Sequence, residues 1–362
     1  MKEIFPSYDE AVTYVLASRD TSCSGLQRKL RIDYRQAMQL KSDMEEDGVY
    51  DGMEKIINPE TVKIVVVGVG GAGCNALEDL LSKAPSCVGT LAINMDEQSL
   101  QRSNAEKIIH VASTNKYSHF TSEAAYQLAR QYHDHILEAL EGAHIVFIVA
   151  GLGGATGTGV APVVAEISRQ VGALTIAVVS TPWAIEDEKR HRVAREGMQK
   201  LSFVTDTIFV SPQPDLDGRD GSKSVSDILR NQDGMLCELV EGIAQAVNSE
   251  DGIALSLFDL KMLLRKSGKA AWGKGVAAGE DRAVLAAERA CQDLMAKGID
   301  AQTAKGMVLI LKISRETKWI EIKPIVVTLK SKFIASTDFN LSIKYDEKCA
   351  DGIEVFVIAS GL

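Results

Sequence analysis

Hydrophobic positions in this chain fall into two patterns, short unbroken apolar runs and longer stretches with helical spacing, which alternate from Val62 onward. The runs at 64–67, 90–94, 108–111, 145–149, 174–179 and 207–210 are rich in Val and Ile and have the length of strands buried on both faces. Their alternation with helices predicts an α/β domain built on a doubly wound parallel sheet. A long helix is expected from Val225 to about Val247, and the runs at 308–313, 322–329 and 353–359 read as strands of a smaller α+β second domain. Ahead of all this, helical spacing over 8–19, 22–31 and 34–48, with a tight turn at Ile32 and Asp33, predicts three short helices in a helix-turn-helix arrangement. The expected organisation is therefore a helical unit over 1–48, a polar linker over 49–60, the doubly wound domain over 61–224, a central helix over 225–248 and the second domain over 249–362.

Composition narrows the class of protein. With 362 residues, 46% of them hydrophobic, the chain can fill the cores of such domains. No apolar run approaches the roughly 18 residues of a membrane span, and the start, MKEIFPSYDE, has neither a basic nor a hydrophobic leader region, which predicts a cytoplasmic location. A net charge of −9 argues against broad nonspecific binding to nucleic acid while leaving room for a local basic face. Cys23, Cys74, Cys87, Cys237, Cys291 and Cys349 are scattered without a C-x-x-C pair, as reduced, buried thiols would be. His133 and His135, two apart on a helix, face different directions, so no metal site is expected.

Two glycine-rich loops carry the chemistry, KIVVVGVGGAGCN at 63–75 and IVFIVAGLGGATGTG at 145–159. Each follows an apolar strand, where backbone N–H groups can close on a phosphate chain and the next helix adds its positive dipole end. Alone, the first loop also fits a dinucleotide fingerprint through Gly68, Gly70 and Gly73, with Asp96 about 20 residues beyond, which suggests an NAD-linked oxidoreductase. The second loop argues against that reading. GGATGTG has two threonine hydroxyls among its glycines and no lysine, so it is neither a Rossmann turn nor a Walker A loop.

In these loops the chain resembles the tubulin/FtsZ superfamily, whose signature is G-G-[GA]-T-G-[ST]-G, and among its members it looks closest to bacterial FtsZ. The blocks GVGGAGCNAL at 68–77, LAINMD at 91–96, the signature with APVVAEI at 161–167, and GKGVAAGEDRA at 273–283 follow in order, and the likeness covers 61–362. It implies GTP or GDP as ligand, with Mg2+ as an accompanying ion. Gly70, Gly71, Ala72 and Asn75 would lie against the diphosphate, with Gly153, Gly154, Thr156, Gly157 and Thr158 holding the phosphates from the other side. Glu186 and Arg190 match positions that contact ribose and nucleotide; without the family they would read as a solvated helix start. Gln213 and Asp233 fall where the family contacts the base, and an aspartate there accepts from guanine N1–H and N2–H.

Departures from the family pattern are equally specific. STNKYSHF at 113–120 replaces the small residues expected around a γ-phosphate. The loop that acts on the neighbouring subunit's nucleotide, N-x-D-F-x-D, is ALSLFD at 254–259, so Ala254 and Ser256 replace two polar groups and only Asp259 remains as a catalytic candidate. Slow or absent hydrolysis is expected, unless Asp259 alone, or Glu250 and Asp251 upstream, compensates. The sequence given stops at Leu362, without the family's linker and adaptor-binding tail, which puts recruitment by the usual membrane adaptors in question.

QRKLRIDY at 27–34 resembles the gamma domain, a DNA-binding winged helix, of the DNA translocase FtsK. Arg28, Lys29, Arg31, Arg35, Gln36, Gln39 and Lys41 would then meet DNA. The base-reading positions fall on Arg35, Gln39 and Ser42, so an altered sequence preference is expected, and a protein-docking role is the competing reading. The combined expectation is a GTP-binding cytoskeletal protein of cell division that self-associates head to tail into filaments, hydrolyses weakly and is targeted by its N-terminal domain to DNA or to other division or membrane-remodelling proteins. The alternative is a nucleotide-dependent DNA-binding scaffold that neither polymerises nor hydrolyses.

Overall fold

Strand β1 (Ile64–Val69) is buried at every position, as its unbroken Val/Ile run requires. The computed structural model describes residues 61–81, 87–112, 121–214, 222–249, 251–334, 336–349 and 351–362, with 29–30 and 39–40; the side chains of Asp233 and Lys348 are outside this set. Around β1 lie β2 (Val88–Asn94), β3 (Lys107–His110), β4 (Ile145–Gly151), β5 (Leu174–Ser180) and β6 (Thr207–Val210), all parallel, in the order β3-β2-β1-β4-β5-β6. Val66 pairs with Thr90 on one side and Phe147 on the other. The direction of winding reverses between β1 and β4, and in doubly wound sheets ligands bind at the carboxyl ends beside that reversal.

Helix α1 (Gly70–Leu81) follows β1 and α2 (Glu97–Leu100) follows β2, while α3 (Ser122–Arg130) and α4 (His133–Leu140) lead to β4. Helix α5 (Ala155–Gln170) follows β4, and α6 (Glu188–Val204) follows β5. The long α7 (Val225–Val247) then runs to β7 (Gly252–Ile253) and α8 (Leu257–Leu264).

The sheet does not stop at β6. Thr207 pairs with Gly268 of β8 (Gly268–Ala278), and beyond it lie β11 (Gly352–Ser360), β9 (Gly306–Ile313), β10 (Asp338–Tyr345) and β7, completing an 11-stranded sheet among the described residues. The β8–β11, β11–β9 and β10–β7 pairings are antiparallel. One core joins both halves, because Leu236, Leu239, Val240 and Ile243 of α7 pack with Phe147 and Ile176 of the first half and with Val308, Phe356 and Ile358 of the second. Each such buried side chain contributes about 1.5–3 kcal/mol.

One element differs in kind from its expectation. Residues 322–329 are not a strand but the body of α10 (Trp319–Lys330). The β-branched run suggests a strand, yet Ile322, Ile325 and Leu329 are the buried positions, and that spacing is helical. Glu321 accepts the Lys318 N–H at 3.0 Å and takes a two-pronged bond from Arg282 of α9 (Arg282–Ala296) at 2.8 and 3.2 Å, fixing the helix start despite Pro324 within it.

The chain divides into units Met1–Glu60 and Thr61–Leu362. In the first, Lys29, Leu30, Gln39 and Leu40 are helical; the remainder of the three expected helices, with Arg28, Arg31, Arg35, Gln36 and Lys41, lies outside the described residues. Among the described residues no helix is long and apolar enough to cross a membrane.

Candidate functional site

The two glycine loops meet because glycine lets three backbones touch. A Cβ on Gly73 would lie 2.2 Å from the Val149 carbonyl oxygen, and one on Gly157 would lie 2.3 Å from that of Gly151, so α1 and α5 both press on β4. Gly70, at φ +72°, brings its Cα side against Gly157, where a Cβ would be 3.1 Å from the Gly157 nitrogen. Gly71 and Gly154 are different. A Cβ on either would meet nothing of the chain within 4 Å, so packing does not demand glycine there.

The loops form one wall of a cleft of about 480 Å³ at the carboxyl ends of β1 and β4, lined by Gly70, Gly71, Ala72, Gly154, Thr156 and Gly157. The free N–H groups of the first turns of α1 and α5 lie at this wall, together with two positive dipole ends, which suits an anion. The opposite wall is the segment after β5. Glu186 is fixed at both oxygens: Oε1 accepts the Trp183 N–H at 2.8 Å and Oε2 pairs with Arg190 at 2.9 Å. Asp187 caps α6 by accepting the Arg190 N–H at 2.9 Å, which seats that arginine, the one cation among the described lining residues, at the cleft.

Eight of the expected residues thus converge, namely Gly70, Gly71, Ala72, Gly154, Thr156, Gly157, Glu186 and Arg190. Others sit behind or beside the cleft. The buried Thr158 hydroxyl accepts the Gly153 N–H at 2.9 Å and its methyl fills the space over Gly197, so Thr158 shapes the loop from within instead of facing a ligand. Gly153, at φ +101°, packs against Pro182 and the Arg190 backbone. Asn75 is exposed one turn further along α1, away from the cleft lining. Gln213 donates to the Thr181 hydroxyl at 2.5 Å and carbonyl at 3.1 Å, beside the cleft and not in it. Asp233 lies on α7 with its side chain outside the described set; of the described side chains of α7, Leu229 and Gln232 reach the lining. Sequence reading also missed Ser180, Thr181, Pro182 and Trp183, although they end and follow β5 just as the glycine loops follow β1 and β4. Cys74, behind the first loop, has its thiol pushed up to about 11, by burial first and the Glu78 charge second, so it is no nucleophile.

The other candidate, Asp259, is far from this cleft. Helix α7 has Leu229 and Gln232 at the cleft, and at its other end Asn248 brackets Val62, accepting its N–H at 2.6 Å and donating to its carbonyl at 3.0 Å, at the amino end of β1. Its 23 residues span about 34 Å. Residues 254–259 therefore lie at the opposite end of the sheet. There Ser256 caps α8, its hydroxyl accepting the Asp259 N–H at 3.0 Å and donating to the Asp259 carboxylate at 2.7 Å. Asp251 pairs with Arg315 at 2.7 Å, and Arg315 stacks on Tyr345. Glu250 and 113–120 lie outside the described residues.

A doubly wound sheet with two glycine turns closing a cleft at the switch in strand order defines the class of phosphate-binding α/β proteins. Comparison with known proteins makes this specific. Residues 63–216 match the model of the tubulin/FtsZ family GTPase domain, and residues 5–55 match that of the Ftsk gamma domain, which supports the N-terminal winged helix. The chain is 32% identical over 329 residues, 89% of its length and 85% of the relative's, to cell division protein FtsZ 1 of Thermococcus kodakarensis. It is 30% identical over 311 residues, 85% and 90% of the two chains, to FtsZ 2 of Rhizobium meliloti. A solved FtsZ dimer from M. jannaschii superposes with a TM-score of 0.74 at 29% identity, over 88% of this chain and 92% of that one. The CetZ2 protofilament structure from Haloferax volcanii, at 18% identity and a TM-score of 0.69 over 82% of this chain and 92% of that one, shares the fold. The chain belongs to the tubulin/FtsZ family.

Proposed function

We propose that the cleft binds GTP or GDP and that copies of the chain associate head to tail, so that the 254–259 loop of one meets the cleft of the next. The observation that carries this reading is the position of the two parts: cleft and loop lie toward opposite ends of α7, whose 23 residues span about 34 Å, so no single copy can bring Asp259 to its own nucleotide. The similarity to an FtsZ solved as a dimer supports association between copies. Hydrolysis is weak, because Ala254 offers no polar group and Asp259 is engaged by Ser256 within its own helix cap. Glu186, the carboxylate in the cleft lining, has both oxygens engaged, and no three His, Cys, Asp or Glu among the described residues are grouped to hold a metal. The described residues do not fit a protein-held Mg2+. We keep the division at 224 and 248 as the proposed boundary of nucleotide domain, central helix and second domain.

Sedimentation of the purified protein with GTP, GDP or neither, with phosphate release followed in parallel, tests this reading. GTP-dependent pelleting with little phosphate release is expected; nucleotide binding with no assembly favours the scaffold alternative, which the engaged Asp259 also supports. The N-terminal unit, by its likeness to the Ftsk gamma domain, would bring DNA to such an assembly, and many copies along one duplex would raise avidity. Labelled duplex titrated with the full chain and with a chain starting at Asn58, at two salt concentrations, checks that role. Loss of binding on truncation with a steep salt slope supports it; equal binding by both, or none by either, leaves a protein-docking role.

A further inference from the structure

We propose that the surface at the amino ends of β6 and β8 docks on a bilayer bearing anionic headgroups, with Arg265, Lys266, Lys269 and Lys305 meeting the phosphates and Phe203 and Met262 entering the headgroup layer. The chain carries a net charge of −9, yet RKSGK at 265–269 sets three cations on the one turn between α8 and β8. That turn is pinned to the neighbouring strand. Thr207 donates to the Leu264 carbonyl at 2.5 Å and bonds the Ser267 hydroxyl at 2.8 Å, and the Gly268 N–H donates to the Asp206 carbonyl at 3.2 Å. Lys305 reaches the same place through Gly361, whose N–H donates to the Lys269 carbonyl at 3.1 Å and where a Cβ would lie 2.9 Å from that of Lys305. All four cations are exposed, and none is paired with a carboxylate among the described residues. Asp206, beside the turn, is buried and accepts the Thr175 N–H at 2.9 Å, so its charge faces inward.

Lys266 singles this turn out. Its φ of +54° is left-handed, and among the described residues it is the one non-glycine with a positive φ. Asparagine or glycine adopts that conformation at lower cost than lysine, so the strain is kept where it sets a third cation beside two others. Cations alone would suit a nucleic acid as well as a lipid; the apolar neighbours decide between them. Phe203, in the last turn of α6, is 72% exposed, with its carbonyl held by Arg169 at 3.1 Å, and it stands three residues ahead of Asp206. Met262, one turn ahead of Lys266, is 68% exposed. Side chains that project so far gain nothing from the phosphates of a duplex, but they gain on entering the boundary between headgroups and acyl chains, and the cations around them are drawn to an anionic leaflet. Each cation contributes about fivefold to that attraction, so one copy binds weakly and an assembly of copies binds firmly.

The experiment is flotation of the full chain, without nucleotide, on vesicles of phosphatidylcholine alone or with about a third phosphatidylglycerol, at low and high salt. Wild type is compared with Lys266→Asn/Lys269→Ser and with Phe203→Gln. Flotation is expected with the anionic vesicles only and should fall as salt rises. The double variant should bind about 25-fold more weakly, two cations lost, while its urea midpoint is unchanged or raised, because asparagine relieves the turn at 266. That combination separates a lost contact from a damaged fold. Phe203→Gln should weaken binding several-fold and leave the salt dependence as it was. No flotation, equal flotation on neutral vesicles, or wild-type binding by either variant would overturn the proposal. If the double variant instead keeps its vesicle binding and loses affinity for a labelled duplex, the surface belongs to nucleic acid and not to lipid.

Discussion

The two ends of the central strands are built on opposite principles. At the carboxyl ends of β1 and β4 glycine replaces side chains, two helix termini stay open, and a Cβ at Gly71 or Gly154 would touch nothing of the chain. At the amino ends, where α7 leads to residues 251–259, the polar groups are present but satisfy one another: Ser256 holds Asp259 and Arg315 holds Asp251. A carboxylate with its hydrogen bonds already made inside the chain must lose them before it can orient a water. On the proposed function, the first end keeps ligand capture and the second has relaxed turnover.

The sharpest way to break this comparison is within the glycine loops, where close packing and openness occur side by side. Gly157→Ala drives a methyl into the Gly151 carbonyl, backbone against backbone; a stability loss of about 3 kcal/mol and loss of nucleotide binding are expected. Gly71→Ala, in open space on α1, should stabilise by about 0.5 kcal/mol yet weaken nucleotide affinity, because the new methyl stands where a phosphate would approach. Urea unfolding alongside nucleotide titration separates the two effects. Full affinity in Gly71→Ala would mean that the open side of the loop is not where the ligand lies.

At the other end the change goes the opposite way. Ala254→Asn with Ser256→Asp adds an amide, exchanges a hydroxyl for a carboxylate, keeps a competent cap at the start of α8, and removes the hydroxyl that holds Asp259. Phosphate release should rise about tenfold or more, with nucleotide affinity unchanged, since the groups act on a neighbour's nucleotide. Wild-type protein that already turns over rapidly and is indifferent to Asp259→Ala would contradict the assignment of this end.

How much of this was legible depended on what set the local composition. The strands of the first half were readable because burial on both faces demands Val and Ile, and the turns were readable because phosphate-type loops demand glycine. Strand β8, GKAAWGKGVAA, was not. Its Gly273 and Gly275 lie where a Cβ would strike the carbonyl oxygens of Ala290 and Ala286 on α9, so close helix packing, not strand preference, chose those residues. Residues 322–329 misled for the converse reason: their β-branched run is strand-like, but neighbours bury only one helical face. In the cleft the same division holds. Backbone-driven positions such as Gly70 and Gly157 could be named from sequence, whereas Leu229 and Gln232 depend on the rotation of α7 about its axis, which only packing fixes. Thr158 shows the limit within the motif, since its hydroxyl serves Gly153 and only Thr156 reaches the lining.

The smallest effect expected concerns coupling between the two ends. His144, at the amino end of β4, accepts the Lys63 N–H through Nδ1 at 2.9 Å, and burial first, then the charges of Lys261 on α8 and Lys63, lowers its pKa below the usual 6.5. The unfolded chain therefore takes up this proton before the folded one does. The stabilisation is fully present above about pH 6.5 and is lost as pH falls through the lowered folded value, so stability should decline on the acid side. His144→Gln keeps an acceptor for Lys63 and cannot titrate; urea midpoints at pH 7.5, 6.0 and 5.0 should show a shallower acid decline than wild type. Nucleotide affinity at pH 7.5 should be the same in both, because the histidine lies at the far end of β4 from Gly151. A shift in that affinity would show that the two ends communicate through β4, and the contrast between an open and a self-satisfied end would then describe one coupled device and not two independent ones.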